Sequence, residues 1–335
     1  ENIIVLVIDG PRYTETWGDS THAHIPNMYS QLLPQGVLYQ DFRNTGFTIT
    51  NGGHTAICTG VDQNIDNTGK EIPQFPSVFQ YYIKEKKVDS TKAWVITSKD
   101  KLEILANCKD SLWHNKYRPA ANCGLSGNPS TYRKDKVTMN HVYEVMKKHQ
   151  PNLMIINLKE PDFSGHAANW KGYLKGIEAG DKYALELWNT IQNDAHYKGK
   201  TTLFITSDHG RHLDGVKNGY INHGCDCEGC RHINLLALGP DFKQNKIFTH
   251  QRNQKDIAST IAYMLSFQMA TSKGEVIEFT IEDKRYSMWL NQYKKPESKE
   301  PDYKIYPNDY KPKAETKMEY ATPVNQQESE DDLPF

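Results

Sequence analysis

The sequence predicts an α/β fold with a central, largely parallel sheet between helices. Three observations carry that prediction. Five short apolar runs, rich in Ile, Val and Leu, do not alternate with polar residues: IIVLVI at 3–8, AWVIT at 93–97, LMIINL at 153–158, TLFIT at 202–206 and NLLAL at 234–238. Such runs suit strands covered on both faces. Helix-period segments lie between them, and strands alternating with helices imply parallel crossover units. At 335 residues with 37% hydrophobic and 24% charged content, the chain is of ordinary globular composition and long enough for one large domain or two small ones.

Taken in order, run 3–8 ends in Asp9, and a helix is expected to begin near Thr50. Run 93–97 follows, then a helix over Lys136 to His149 with Val137, Val142, Val145 and Met146 in helical register. Run 153–158 precedes EPDFSGH and a helix over Lys171 to Asp194, in which Leu174, Ile177, Ala184, Leu187 and Ile191 share a face. Runs 202–206 and 234–238 close the sheet, and Asp256 to Leu265 forms the last helix. A catalytic domain over 1–293 is expected, followed at 294–335 by a polar tail that is extended or disordered, rich in Lys, Glu, Asp, Pro and Gln.

Composition excludes several classes. The formal net charge of -1 gives no electrostatic footprint for coating nucleic acid. No apolar run approaches the ~20 residues that span a bilayer, so no transmembrane segment is expected. The chain enters a strand-like run directly after Glu1, and we expect a periplasmic or secreted protein whose signal peptide has been removed. Oligomeric state is not legible.

In open α/β sheets, ligands bind beyond the carboxyl ends of the strands. Asp9 stands there after the first run, Asp162 and His166 after the third, and Asp208 and His209 after the fourth. His223 precedes the fifth, with His232 as a rival. Asp208 and His209 can serve one site only if the chain has left the strand, because adjacent strand residues point to opposite faces. Gly210 is expected to help that turn. Three carboxylates and three imidazoles suit zinc, with manganese or iron as alternatives. Six ligands exceed one tetrahedral zinc, so two divalent ions are the economical reading.

The segment FTITNGGHTAICTG at 47–60 offers a nucleophile. Thr50 precedes Asn51, Gly52 and Gly53 and a helix-like stretch. It can cap that helix and present its hydroxyl where backbone N–H groups favour phosphate. Metal coordination would lower its pKa and activate it. Thr48 and Thr55 are rivals.

Together, VLVIDGPR, the Thr50 segment, EPDFSGH, TSDHG, NHG at 222–224 and DIASTIAYML at 256–265 resemble the alkaline phosphatase superfamily. The branch they look most similar to is the nucleotide pyrophosphatase/phosphodiesterase type. The resemblance spans roughly residues 3–280 and implies a three-layer sandwich. It implies one metal on Asp162, His166 and His223, and a second on Asp9, Asp208, His209 and the oxygen of Thr50. It further implies hydrolysis of small phosphoric esters, mono- or diesters, at two zinc ions through a phosphothreonine. Asn67 in NIDNTG matches the family's asparagine that contacts a phosphoryl oxygen. A phosphotransferase or phosphonate hydrolase on the same site, or a catalytically silent recognition protein, are the alternatives.

There are departures from the family pattern. Asn51 and Gly52 replace the usual aromatic and proline after the nucleophile. No Cys-x-Pro-x-Arg or Ser-x-Pro-x-Arg occurs, which argues against the sulfatase branch. CDCEGC at 225–230 is foreign to the pattern. Its cysteines suit a disulfide in an oxidising compartment, or a structural zinc with His232 or His223 as fourth ligand.

Overall fold

The computed structural model describes residues 1–125 and 131–277. The expected tail at 294–335 lies outside the described residues.

All five apolar runs are strands, within β1 (Asn2–Asp9), β3 (Ala93–Thr97), β5 (Leu153–Pro161), β6 (Thr201–Thr206) and β7 (His232–Leu238). Four further strands complete the sheet: β2 (Gly36–Arg43), β4 (Ala120–Cys123), β8 (Lys246–Phe248) and β9 (Arg252–Asn253). The strand order is β4-β3-β5-β1-β6-β7-β2-β8, with β9 also on β2. β1 pairs in parallel with β5 and β6 on either side, and β3 with β4 and β5. β7 runs antiparallel to both β6 and β2. That reversal matters for the site. The start of β7, not its end, lies at the edge where β1, β5 and β6 finish.

The helices are α1 (Thr50–Thr59), α2 (Val78–Lys86), α3 (Asp135–His149), α4 (Asp162–His166), α5 (Trp170–Asn193), α6 (Glu228–Arg231) and α7 (Asp256–Met264). Alternation along β1 divides the core in two. Ile3, Val5 and Val7 join residues of α1, α2 and α7 in one apolar cluster. Ile4, Leu6 and Ile8 join residues of α3 and α5 in the other. The result is the expected three-layer α/β sandwich.

Two local expectations need correction. Val137 is exposed, and Thr138 and Met139 take the inner face of α3 with Val142, Val145 and Met146. Thr50 is not the cap of α1 but its first helical residue. The cap position is Ile49, with no side-chain hydrogen bond, so the threonine hydroxyl is left for other partners.

Candidate metal centre

The strand exits converge. Asp9 closes β1, and Gly10 then adopts φ +66°, a left-handed conformation that glycine tolerates without a Cβ clash. That turn lets the Gly10 N–H donate to Asp208 Oδ1 at 3.2 Å. α4 begins at Asp162, directly after β5, and its four-residue spacing puts Asp162 and His166 on one helical face. β6 ends at Thr206, so Asp208 and His209 lie beyond the strand and can turn to one site. Gly210 contributes differently from expectation. It takes no positive φ, but a Cβ there would lie 2.0 Å from the Gly229 carbonyl oxygen. Its small size allows close approach rather than a turn.

The expected ligands fall into two adjoining groups. In the first, Asp162 Oδ1 is 3.3 Å from His166 Nε2 and 3.4 Å from His223 Nε2. The two Nε2 atoms are 3.0 Å apart. Metal bonds of ~2.0–2.1 Å in a tetrahedron imply ligand separations of about 3.3–3.4 Å. In the second group, His209 Nε2 is 3.6 Å from Asp9 Oδ1 and 3.3 Å from Asp208 Oδ2. The His209 and His223 rings stack at 3.8 Å between centroids and join the groups. Asp208 Oδ2 and His209 Nε2 are buried and make no hydrogen bond. Leaving such atoms bare costs roughly 1–3 kcal/mol each, and a cation on their lone pairs removes that cost. The donor set therefore fits divalent ions.

Electrostatics supports the same reading. Burial and the neighbouring His209 push the His223 pKa well below the imidazole range, which keeps its lone pair free. Burial works against the charge of Asp162, but Lys99, His166 and Arg211 hold its carboxyl well below the usual range. Burial likewise opposes the charge of Asp208, which His209 and His54 outweigh. Asp9 goes the other way, raised by burial and by Asp208. Of the three carboxylates at this edge, only Asp9 is thus left short of compensating positive charge.

Some residues at the site were not foreseen. Of the five apolar runs, that of β3 is the one without an expected ligand at the site, yet its exit supplies Lys99. Its Nζ lies 2.9 Å from Asp9 Oδ1 and 2.6 Å from Asp162 Oδ2. It also donates to Thr50 Oγ1 at 3.2 Å. Burial disfavours the ammonium, but Asp162 and Asp9 hold its pKa well above the usual lysine value. The signal was SKDK directly after AWVIT. Arg211 is fully buried and pairs with Asp162, and it also donates to the carbonyl oxygens of Tyr220 and of Ile221, the latter at 2.7 Å. His54 Nδ1 lies 3.3 Å from Asp208 Oδ2. Asn157 donates to Asp9 Oδ2 at 3.0 Å, and as a polar residue inside LMIINL it was the visible clue.

The remaining expected residues are placed as follows. Asn67 Oδ1 accepts the N–H of Asn51, one residue past Thr50, at 3.1 Å, and Lys101 Nζ at 2.9 Å. Thr48 Oγ1 is spent on the Cys225 carbonyl at 2.9 Å. Thr55 Oγ1 is buried without a partner. His232 Nε2 is 3.0 Å from the Gln40 carbonyl oxygen and Nδ1 3.0 Å from Glu228, so neither nitrogen faces the site.

The Metalloenzyme superfamily profile matches residues 52–269, well over half of the 335-residue chain. The chain belongs to this superfamily. Among solved structures, the metalloenzyme is similar to murine ectonucleotide pyrophosphatase/phosphodiesterase 5. Identity is 16%, covering 82% of this chain and 98% of that one, with a TM-score of 0.58. It is also similar to an alkaline phosphatase superfamily protein from Vibrio parahaemolyticus, at 14% identity over 82% of this chain and 69% of the other, TM-score 0.59. A third likeness is to the PsFucS1 sulfatase from Pseudoalteromonas sp., at 13% identity over 85% and 71% of the two chains, TM-score 0.59. At such identities these likenesses establish an alkaline-phosphatase-like fold. A comparison with curated protein sequences finds no match. No helix among the described residues is long and apolar enough to cross a membrane.

Proposed function

We propose that this metalloenzyme hydrolyses small phosphoric esters through a covalent phosphothreonine at Thr50. One observation carries the reading. Through Lys99, the Thr50 hydroxyl is tied to one carboxylate of each ligand group. Asp162, His166 and His223 would hold one divalent ion; Asp9, Asp208, His209 and Thr50 Oγ1 would hold the other. Zinc suits this oxygen and nitrogen set. When bound, the ions neutralise phosphoryl charge and lower the hydroxyl pKa.

The chain's own residues do the rest. Thr50, in the first turn of α1, presents its oxygen where the helix N–H groups favour an anion. That oxygen gives up its proton and forms a bond to phosphorus as the bond from phosphorus to the ester oxygen breaks. The leaving oxygen takes up one proton from solvent, so that the alcohol departs and the proton count closes. Lys99, which already donates to Thr50 Oγ1, stabilises the oxygen as it gives up its proton. Asn67 has its Oδ1 occupied by Asn51 N–H and Lys101, which leaves Nδ2 to donate to a second phosphoryl oxygen. Water then cleaves the Thr50–phosphorus bond and returns the hydroxyl. A substrate of this kind fits an exported enzyme, either periplasmic or secreted.

The test is hydrolysis of chromogenic phosphomonoesters, phosphodiesters, phosphonate esters and sulfate esters by the zinc-reconstituted protein. Turnover of phosphoric esters above the others, lost on chelation and regained with zinc, supports the reading. Preference for phosphonate or sulfate esters, or full activity without metal, rejects it.

A further inference from the structure

CDCEGC has no place in the phosphoryl-transfer site. All six cysteines are free in this structure, which does not contain the disulfide anticipated for this segment. Instead, the sulfur atoms of Cys225, Cys227 and Cys230 gather with a ring nitrogen of His212, all within 4.8 Å of one another. Cys225 Sγ and Cys230 Sγ are 3.9 Å apart. A disulfide would need about 2.05 Å. The edge of a tetrahedron with zinc–sulfur bonds of ~2.3 Å is about 3.8 Å.

A second, independent observation points to a cation. His212 is buried, and its Nδ1 faces Asn218 Oδ1 at 3.3 Å. Its Nε2 is buried with no hydrogen-bond partner at all. An imidazole oriented through one nitrogen by an amide, with the other nitrogen bare, is how metal-binding histidines are held. The Cys227 N–H donates to Cys225 Sγ at 3.4 Å, which stabilises a thiolate. The two histidines expected as fourth ligand are engaged elsewhere. His232 stacks on Tyr13 at 3.8 Å and uses both nitrogens, while His223 Nε2 faces Asp162.

We propose that Cys225, Cys227, Cys230 and His212 bind a structural zinc ion. Three thiolates and one imidazole form a complete tetrahedral set with no open position, which is a closed, non-catalytic arrangement. Its task is to hold the segment that supplies the catalytic edge. The Gly210 N–H donates to the Cys230 carbonyl at 2.9 Å, and the His212 N–H to the Asn222 carbonyl at 3.1 Å. Thr48 Oγ1 donates to the Cys225 carbonyl, and the Thr48 carbonyl in turn meets His223 Nδ1 at 2.8 Å. The ion therefore clamps residues 212–230 over the Asp208–His209 turn. It fixes His223, and through Thr48 it reaches the strand of chain that leads into Thr50.

The experiment is metal analysis and cobalt substitution of the full chain, purified without chelator. Variants are Cys227→Ser, His212→Asn and, as a reference in the phosphoryl site, Asp162→Ala. We expect one zinc fewer per chain in Cys227→Ser and in His212→Asn than in the parent. We also expect thiolate-to-cobalt charge-transfer absorption in the parent and in Asp162→Ala, and none in Cys227→Ser. The phosphoryl site contains no sulfur, so this absorption reports only on the cysteine cluster, whether or not the proposed activity is found. If Cys227→Ser does not fold, His212→Asn and the spectrum of the parent decide the matter. Parent protein without that absorption, or with a Cys225–Cys230 disulfide by peptide mass spectrometry, overturns the proposal.

Discussion

Two ligand clusters stand within a few residues of each other, and they are built on opposite plans. Around Thr50, carboxylates and imidazoles are buried at the end of a parallel sheet, with a lysine among them and a hydroxyl facing in. Between His212 and Cys230, three sulfurs and one imidazole close on themselves. Hard oxygen and nitrogen donors in an incomplete set leave room for a reacting group; soft donors in a complete set do not. Segment 208–230 contributes to both, with Asp208, His209 and His223 for one and His212 and the cysteines for the other. The chain thus places a rigid clamp beside the residues whose geometry must be held most tightly.

The largest effect that would separate the two plans is loss of a ligand from the open cluster. His209→Ala should lower turnover by at least about 10³-fold and remove metal from that cluster. Elemental analysis beside steady-state kinetics checks this, and the thiolate–cobalt absorption should persist. Next comes Lys99→Met. With the ammonium gone, turnover should fall about 10²-fold, while metal content holds or rises because no cation competes for Asp9 and Asp162. Metal loss in Lys99→Met would instead make Lys99 a scaffold for the carboxylates.

A smaller effect is expected from the closed cluster. Cys225→Ser should lower the melting temperature by about 5–10 °C, as loss of a few kcal/mol does in a domain of this size. Turnover at low temperature should stay within about tenfold of the parent. A collapse of turnover with stability intact would mean that the cysteines take part in the chemistry.

The smallest effect concerns Asp135, at the start of α3 and outside both clusters. Burial pushes its carboxyl up to about 6, against the opposing hydrogen bond from Ser98. A folded pKa raised above the unfolded value gives a stabilising contribution that is full below about pH 4 and lost as pH rises through about 6. The parent should therefore lose up to about 3 kcal/mol relative to Asp135→Asn between pH 4 and pH 7. Denaturant unfolding of both proteins at the two pH values measures this. A parent–variant gap that does not change with pH would show that Asp135 is ionised throughout.

How much of this was legible in the sequence depends on how local the signal is. The buried strands were, because two-sided burial leaves continuous apolar runs. β2 was not, since Gln40 and Asp41 interrupt it where its pairing with β7 is irregular. The two ligand groups were legible because each is set by a short motif at a strand exit. Lys99 was overlooked because a lysine after a strand ordinarily reads as solvated, and only the β3–β5 pairing brings it between Asp9 and Asp162. His212 could not be matched to CDCEGC from sequence. Ten residues or more of irregular chain separate it from the cysteines, and the choice among His212, His223 and His232 is made by tertiary folding.

The central claim is that Thr50 carries the phosphoryl group, and rapid acid quench during turnover of a phosphoric ester tests it most directly. Mass spectrometry of the peptide spanning 47–60 should find one added phosphoryl group on Thr50. Thr50→Ala should show no such adduct and lose turnover by orders of magnitude while keeping its fold and most of its metal. If Thr50→Ala instead hydrolyses the ester at near the parent rate, the attack is made by water and the account is wrong.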